Sequence, residues 1–328
     1  MTEPTMGEKR SDDASATQAS TEPSERQIYG NSEIAPQAVK SQDLTYNDYL
    51  EVEALLSLQK PQSDPAHHDE MLFIIIHQAY ELWFKLLLHE MQRAMDFMAD
   101  GHPLRARHFL NRSVEIMRLL VSQIHIVETM RPVDFLHFRH HLMPASGFQS
   151  VQFREIEFMA GLKDARYTTF FRNRPDLKSQ LEARLEKDDL RTAWSRMMRK
   201  AGLALPPESE DPHKRDIPEF FDQTVAAMVP VYENPESSLP LYMLCESLIS
   251  FDEYLSLWRE HHVRVVSRVI GWRQGTGGSA GVDYLRSTAS KQAFPELWAV
   301  RTGLTRSDQP LSQGCPMGYG QVSTEPQD

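Results

Sequence analysis

Two histidines lie on apolar faces of segments whose residue spacing predicts helices. The stripe around His262 repeats every three or four residues and comprises Leu255, Trp258, Val265, Val266 and Val269. The stripe around His77 comprises Phe73, Tyr80 and Phe84. A neutral imidazole on such a face either ligates a metal or a haem iron, or is a core histidine bonded to a backbone carbonyl. Two buried helices that each present one histidine inward are what a bundle needs to hold a cofactor between them.

The residues around these histidines narrow the kind of cofactor. Zinc would need more ligands, whereas haem needs one strong axial ligand and a distal pocket. Glu81, one helical turn after His77, leaves a di-metal carboxylate site open, although the ExxH spacing of di-iron bundles is absent. His261 is turned about 100° from His262, which places it at the margin of the core. Four further histidines are expected to be solvated or to cap helix ends: His67, His68, His140 and His141.

An arginine and a glycine-rich loop are the next candidates for ligand contacts. Arg139 follows Phe135 and Phe138, and an arginine on an apolar face is costly unless it is paired. It serves either in a structural ion pair or as a two-pronged grip on a substrate carboxylate. The stretch GTGGSAGV contains Thr276 and does not fit the glycine spacing of a dinucleotide site. It is either a helix stop with a loop, or a loop that closes over a ligand.

The candidate residues must be positioned by helices, and the spacing of apolar residues predicts helices along most of the chain. The segment DLTYNDYLEVEALLSLQ predicts one amphipathic helix that begins with Asp and Thr capping chemistry. The segment EMLFIIIHQAYELWFKLLLHEMQRAMDFM, which is apolar on every side in its first half, predicts a buried helix. PLRARHFLNRSVEIMRLLVSQIHIVETM follows with Pro103 near a permitted first-turn position. Two shorter helices, split at PASG, come next.

The remaining chain completes an all-α prediction. Residues 165–240 are more polar and predict a small helical insertion, and a long helix then runs to Gly271. Strand-like alternation is missing. We expect a disordered tail over residues 1–40, a single all-α domain over residues 41–304 with the helical insertion at about 161–240, and a flexible tail over residues 305–328.

Composition limits the function classes. The chain has 328 residues, and 35 Lys and Arg against 46 Asp and Glu give a net charge of −11, which disfavours nucleic acid or an anionic membrane as partner. Cys245 and Cys315 cannot form a disulfide-rich scaffold or a cysteine zinc cage. The sequence has no signal-peptide pattern and no stretch of roughly 18 uninterrupted apolar residues. We therefore expect a cytoplasmic protein.

Four blocks of sequence resemble the tryptophan 2,3-dioxygenase family. They are HHDEMLFIIIHQAYELWFKLL, PASGFQSVQFREIEF, LWREHHVRVVSRVIGWRQGTGGSAGVDYL and FPELWAVRT, within residues 43–160 and 241–303. The resemblance implies an all-α homotetramer with one haem b per subunit. It also implies that both atoms of O₂ are added across the indole C2–C3 bond of L-tryptophan to give N-formyl-L-kynurenine, the first step of the kynurenine pathway. Two alternatives are a related haem enzyme acting on a modified tryptophan or another indole, and a non-catalytic helical sensor.

The resemblance also implies roles for individual residues. His262 resembles the proximal ligand of the haem iron, and His77 the distal, catalytic histidine that hydrogen-bonds the indole N–H. Phe73 packs on the indole, Arg139 clamps the substrate carboxylate, and Thr276 meets the ammonium and carboxylate groups.

Further pocket positions follow from the same resemblance. Ser146 and Gly147 are expected beside the haem and its oxygen, and Tyr46 and Tyr49 are expected to enter the pocket of a neighbouring subunit. Two positions depart from the pattern: Phe135, expected at the substrate, and Phe153, expected at the haem, stand where some members carry a tyrosine. The pocket should therefore depend more heavily on Arg139.

Overall fold

The structure is a computed structural model that describes residues 44–208, 216–276 and 281–304. These residues form α-helices, short 3₁₀ helices and connecting loops, with no strand among them, which confirms the all-α prediction. The chain divides into two compact units, with the boundary between Leu56 and Ser57. The predicted tails, residues 1–40 and 305–328, lie outside the described residues.

The first unit contains two short helices, α1 (Tyr46–Leu50) and α2 (Val52–Leu56). Thr45 caps α1 through a capping box with Asp48, as the Asp and Thr signals predicted. The prediction of one continuous helix here was wrong. Glu51 adopts a left-handed conformation (φ 49°), and its N–H bonds to carbonyls of α1, so the first helix ends there.

Three long helices frame the second unit: α3 (His68–Ala99), α4 (Pro103–Val127) and α10 (Leu239–Ile270). Helix α4 packs against both α3 and α10. Pro103 lies in the first turn of α4, where its missing N–H costs nothing, and Gly271 ends α10 with φ 61°. These helix boundaries agree with the sequence predictions.

The first half of α3 is less buried than its composition predicted. Met71, Ile75 and Leu82 are exposed, so burial on every side was wrong for this helix within the chain. By length and composition α3 is also the one described helix that passes as a membrane span. However, α3 packs against α4, α6 and α8, and a helix in a protein core can have the same length and apolar composition as a membrane span.

Shorter helices close the second unit around this frame. They are α5 (Pro132–Arg139), α6 (Val151–Ala160), α7 (Pro175–Glu186), α8 (Leu190–Lys200), α9 (Pro218–Glu233), α11 (Val282–Ala289) and α12 (Pro295–Gly303). Helices α5 and α6 are separated by a loop with two 3₁₀ turns at the predicted PASG break. Helices α7 to α9 fall in the predicted insertion, where α8 packs on α3 and α9 on α12.

Candidate active site

A cavity of about 300 Å³ lies between α3 and α10 and is closed by α5, α6, α11 and the loop after α10. Its walls are mostly apolar, with a few polar groups that converge on the same space, which is typical of a small-molecule site. Of the eleven residues to which the family resemblance assigns a role, nine line it: Phe73, His77, Phe135, Arg139, Ser146, Gly147, Phe153, His262 and Thr276.

His262 faces the cavity from α10. Its ring stacks on Trp258, one turn earlier in the helix, with ring centroids 5.2 Å apart and planes inclined by 25°. Burial, with smaller effects of His77 and Arg154, lowers the pKa of His262 to about 4, so the ring is neutral near neutral pH. No described residue hydrogen-bonds either ring nitrogen, which argues against a core histidine satisfied by a carbonyl. A neutral imidazole with a free nitrogen can ligate a metal.

His77 faces the cavity from α3, and its tautomer follows from one contact. The Nδ1 atom lies 2.7 Å from the Phe73 carbonyl oxygen, which can only accept, so Nδ1 carries the proton. Burial lowers the pKa of His77, against smaller opposing effects of the Phe73 contact and the Glu81 charge. His77 is exposed within the chain, and it lines the cavity. In the neutral ring, Nε2 is a hydrogen-bond acceptor.

Aromatic rings beside His77 form an apolar slot. Phe73 lies 4.1 Å from the His77 ring and 5.5 Å from Phe135, centroid to centroid. Phe153 and Trp258 also line the cavity, and their ring centroids lie 4.7 Å apart. Such rings favour a flat aromatic ligand, which packs on them by stacking or edge contacts.

Polar groups converge at the junction of α5 with the loop after α10. Arg139 donates to the carbonyl of Gln274 and forms no ion pair within the described residues, so the ion-pair interpretation of Arg139 was wrong. The Thr276 hydroxyl donates to the Ala145 carbonyl at 2.6 Å. Both side chains line the cavity, and together they offer a cation and a hydroxyl to a ligand. Residues 277–280 of the predicted closing loop lie outside the described residues.

The end of this loop requires glycine at one position. Gly281 has φ 66°, and a Cβ atom built there would lie 2.7 Å from the Arg273 carbonyl oxygen. A side chain would therefore strain the backbone and push this carbonyl away. Because the backbone of Gly281 lies close to that of Arg273, the two ends of the loop are near each other. Thr276 and the start of α11 line the same cavity.

The loop between α5 and α6 supplies small residues. Ser146 caps a 3₁₀ turn and is tied by a capping box to Gln149. A Cβ atom added to Gly147 would meet nothing within 4 Å. Glu81 accepts hydrogen bonds from the Ser150 hydroxyl at 2.6 Å and from Gln152 at 2.8 Å, which joins α3 to the first turn of α6. Glu81 thus holds this loop in place rather than joining His77 in a metal cluster.

Sequence reasoning missed a charged group in the cavity wall. Glu157 pairs with Arg154 on α6 and with Arg259 on α10, the latter at 2.8 Å, and all three side chains are buried. Arg154, Glu157 and Arg259 all line the cavity. Charged residues within the largely apolar VQFREIEFMA helix were a signal that α6 carries a buried charge. The Arg259 partner is 102 residues away and could not be inferred.

One other cluster within the described residues has metal-ligand chemistry. Potential ligand atoms of His67, Asp134 and His137 lie within 4.8 Å of one another. However, His67 Nδ1 accepts from the Asp69 N–H at 3.2 Å and caps α3. Asp134 pairs with Arg131 at 2.6 Å, and this bond lowers the pKa of the Asp134 carboxyl. Helix capping and ion pairing account for this cluster, as expected for His67.

Tyr46 and Tyr49 lie in the first unit, on α1. Their side chains are 75% and 73% exposed, unusually high for aromatic residues within a helix. Their expected place in the pocket of a neighbouring subunit stays a prediction.

Comparison with known proteins decides the family. The model of the family described as tryptophan 2,3-dioxygenase matches residues 31–213 and 219–304. A tryptophan 2,3-dioxygenase of Nocardioides sp. is 44% identical over 266 residues, which are 80% of this chain and 95% of the relative. Proteins of the same name from Caulobacter vibrioides and Herpetosiphon aurantiacus are each 42% identical, and the alignments cover 80% of this chain and 100% of each relative. The chain belongs to the tryptophan 2,3-dioxygenase family.

The cavity fits the haem that the tryptophan 2,3-dioxygenase family implies. His262 offers an unbonded, neutral imidazole, and the walls around it are apolar. Gly147 leaves open the space that a Cβ atom would fill. Arg154 brings a buried positive charge to the wall, and its Nε atom has no hydrogen-bond partner. A neutral histidine that can ligate iron, an apolar cavity and a cation for carboxylates are features that suit haem b.

Proposed function

We propose that this chain is a haem-dependent dioxygenase that cleaves the indole C2–C3 bond of L-tryptophan with O₂ and forms N-formyl-L-kynurenine. The observation that carries the proposal is the pair of neutral histidines, His77 on α3 and His262 on α10, that line one apolar cavity together with Arg139. The shared name of the relatives supports L-tryptophan over the modified indoles and the non-catalytic sensor that the sequence left open.

His262 would hold the iron of haem b, one per subunit, through its free ring nitrogen. Bound there, the haem supplies the oxygen-activating chemistry, and the protein supplies the geometry and a dry pocket. The low pKa of His262 supports this role because the neutral ring is the form that ligates a metal. Ser146, Gly147 and Phe153 would border the haem.

The substrate would occupy the aromatic slot, with its charged end at the α5 junction. Phe73 and Phe135 would pack on the indole ring. Arg139 would bind the carboxylate, and Thr276 would contact the carboxylate and the ammonium group. Each already bonds a backbone carbonyl, which fixes its position before the substrate arrives. Tryptamine, which lacks the carboxylate, should bind poorly because Arg139 would stay unpaired.

His77 would position the indole. Since Nδ1 donates to the Phe73 carbonyl, Nε2 is the acceptor available for the indole N–H. This bond would fix the rotation of the ring and so present the C2–C3 bond in a single orientation.

We further propose that the enzyme is a cytoplasmic homotetramer without nucleic-acid or membrane partners, and that its catalytic domain spans residues 41–304 with the helical insertion at about 161–240. Exposed apolar residues support assembly: Met71, Ile75 and Leu82 on α3, and Tyr46 and Tyr49 on α1. The two tyrosines would complete the pocket of a neighbouring subunit.

Three substitutions test the proposal in haem-reconstituted protein by recording haem content and N-formylkynurenine absorbance. His262→Ala should lose haem and activity together. His77→Ala should keep its haem and turn over about tenfold more slowly, the effect of one lost hydrogen bond. His261→Ala, altered at the adjacent ring, is the matched control and should keep haem and turnover. Full haem content and activity in His262→Ala would refute the proposal.

A further inference from the structure

A carboxylate in the cavity wall bonds only neutral donors. Glu81 lies on α3, one helical turn after His77, lines the cavity and forms no ion pair within the described residues. Its two oxygens accept from one neighbouring segment, from the Ser150 hydroxyl at 2.6 Å and from the Gln152 side-chain amide at 2.8 Å. The same amide donates to the Glu81 backbone carbonyl at 2.9 Å. Hydrogen bonds to a carboxylate are stronger than bonds between neutral groups, so these contacts hold α6 firmly to α3.

Ser150 connects Glu81 to the loop between α5 and α6. Its hydroxyl also accepts from the Phe153 N–H at 3.2 Å and so caps α6. One 3₁₀ turn leads back from Ser150 into the loop. The N–H of Ser150 donates to the Gly147 carbonyl at 3.2 Å, and the N–H before it, that of Gln149, donates to the Ser146 carbonyl at 2.9 Å. A shift of Ser150 would therefore move Ser146 and Gly147 with it.

The Glu81 contacts fix the spacing between two walls of the cavity. His77 and Glu81 share a face of α3 because they are four residues apart. Ser146 and Gly147 line the cavity from the loop between α5 and α6. The start of this loop is held separately, by the Thr276 hydroxyl on a backbone carbonyl. Loss of the Glu81 contacts would therefore shift the loop relative to His77 while the Thr276 bond remains.

We propose that Glu81 is a positioning residue for turnover, which acts through Ser150 to set the distance between His77 and the loop between α5 and α6. This inference rests on the proposed function, because it takes the indole and the haem as the occupants of the cavity. Tryptophan affinity would depend on Arg139, which Glu81 does not contact, so a shifted loop should change the orientation of the substrate and not its affinity. Groups displaced by about 1 Å can react about a hundredfold more slowly.

Steady-state kinetics of haem-loaded variants test this role. Glu81→Leu removes both acceptor oxygens, and its kcat for L-tryptophan should fall about tenfold while its KM and haem content stay within about twofold of wild type. Glu81→Gln keeps an oxygen for the Ser150 hydroxyl and should retain kcat within about threefold. Asp96→Asn removes an acid of α3 that lies outside the cavity wall, and this matched control should keep both kcat and KM.

Hydrogen exchange gives a measurement that needs neither haem nor turnover. In haem-free protein, peptides that cover residues 144–153 should exchange faster in Glu81→Leu than in wild type, because the turn is no longer bonded to α3. Ser150→Ala should show the same faster exchange and the same lower kcat. The double variant should be no slower than either single variant, because both substitutions break one bond. Ser150→Ala also replaces Glu81→Leu if that variant does not fold by circular dichroism.

Three results would overturn the proposal. The first is unchanged exchange in Glu81→Leu, and the second is a raised KM with unchanged kcat. The third is a kcat in Glu81→Gln as low as in Glu81→Leu, because the charge and not the hydrogen bond would then matter. Faster exchange in Glu81→Leu, together with wild-type protein that binds haem and forms no N-formylkynurenine, would instead overturn the proposed function and with it the role of Glu81 in turnover.

Discussion

Acid should destabilise the haem-free protein through His262. The unfolded chain binds a proton at this side chain with a pKa of 6.5, whereas burial lowers the pKa in the folded protein to about 4. Between these values the unfolded chain therefore binds more protons than the folded one. The free energy of unfolding should fall as the pH is lowered through this window, and the loss should be complete below about pH 4.

The size of the pKa shift at His262 determines how much unfolding free energy is lost. Each pKa unit corresponds to about 1.4 kcal/mol, so the full shift at His262 corresponds to about 3 kcal/mol. Going from about pH 7 to about pH 5 crosses most of this window without passing the folded pKa, and should remove about 2 kcal/mol. A domain of ordinary stability would lose a measurable share of its total.

Urea unfolding of haem-free wild type and His262→Gln at both pH values measures this loss. Glutamine is neutral throughout, so the wild type should lose about 2 kcal/mol more than the variant between the two pH values. The comparison cancels protonation elsewhere in the chain and any pH-independent packing change at this position. Equal losses in the two proteins would show that His262 is not buried in its neutral form, which would refute the basis for its role as a ligand.

Other substitutions address the remaining parts of the site. Arg139→Gln should raise the KM for L-tryptophan about ten- to hundredfold with little change in kcat, as judged by steady-state kinetics; a loss confined to kcat would contradict a carboxylate clamp. Gly147→Ala should leave the urea stability of the haem-free protein within about 0.5 kcal/mol but weaken haem binding, because a Cβ atom there meets no protein atom within 4 Å and Gly147 lines the cavity. Glu157→Gln should lower stability by about 3 kcal/mol, measured in urea, because it leaves Arg154 and Arg259 buried without a carboxylate.

Helical periodicity predicted the site best where local spacing decides the structure. The stripes through His77 and His262 depend only on positions three and four residues apart, and both histidines line the cavity. Periodicity could not predict the break at Glu51, because YNDYLEVEALL keeps a helical pattern while one residue adopts φ 49°. It also overestimated the burial of α3, since Ile75 is 49% exposed although its neighbours in sequence are apolar.

Contacts between helices that are distant in sequence could not be predicted from local residue spacing. The contact between Glu157 and Arg259 joins α6 to α10 across 102 residues, and no local spacing relates them. Arg139 is similar: the sequence left an ion pair open, but its partner is the Gln274 carbonyl, 135 residues away. In both cases tertiary packing decides which polar group meets the buried charge.

Isotope labelling tests whether this cavity carries out oxygen addition to L-tryptophan. Haem-loaded wild-type protein is given L-tryptophan under ¹⁸O₂, and the product is analysed by mass spectrometry. We expect the wild type, and not His262→Ala, to form N-formylkynurenine that carries both labelled oxygen atoms. A product with one labelled atom, or no product from protein that has bound haem and tryptophan, would show that the protein does not add both atoms of O₂ to L-tryptophan.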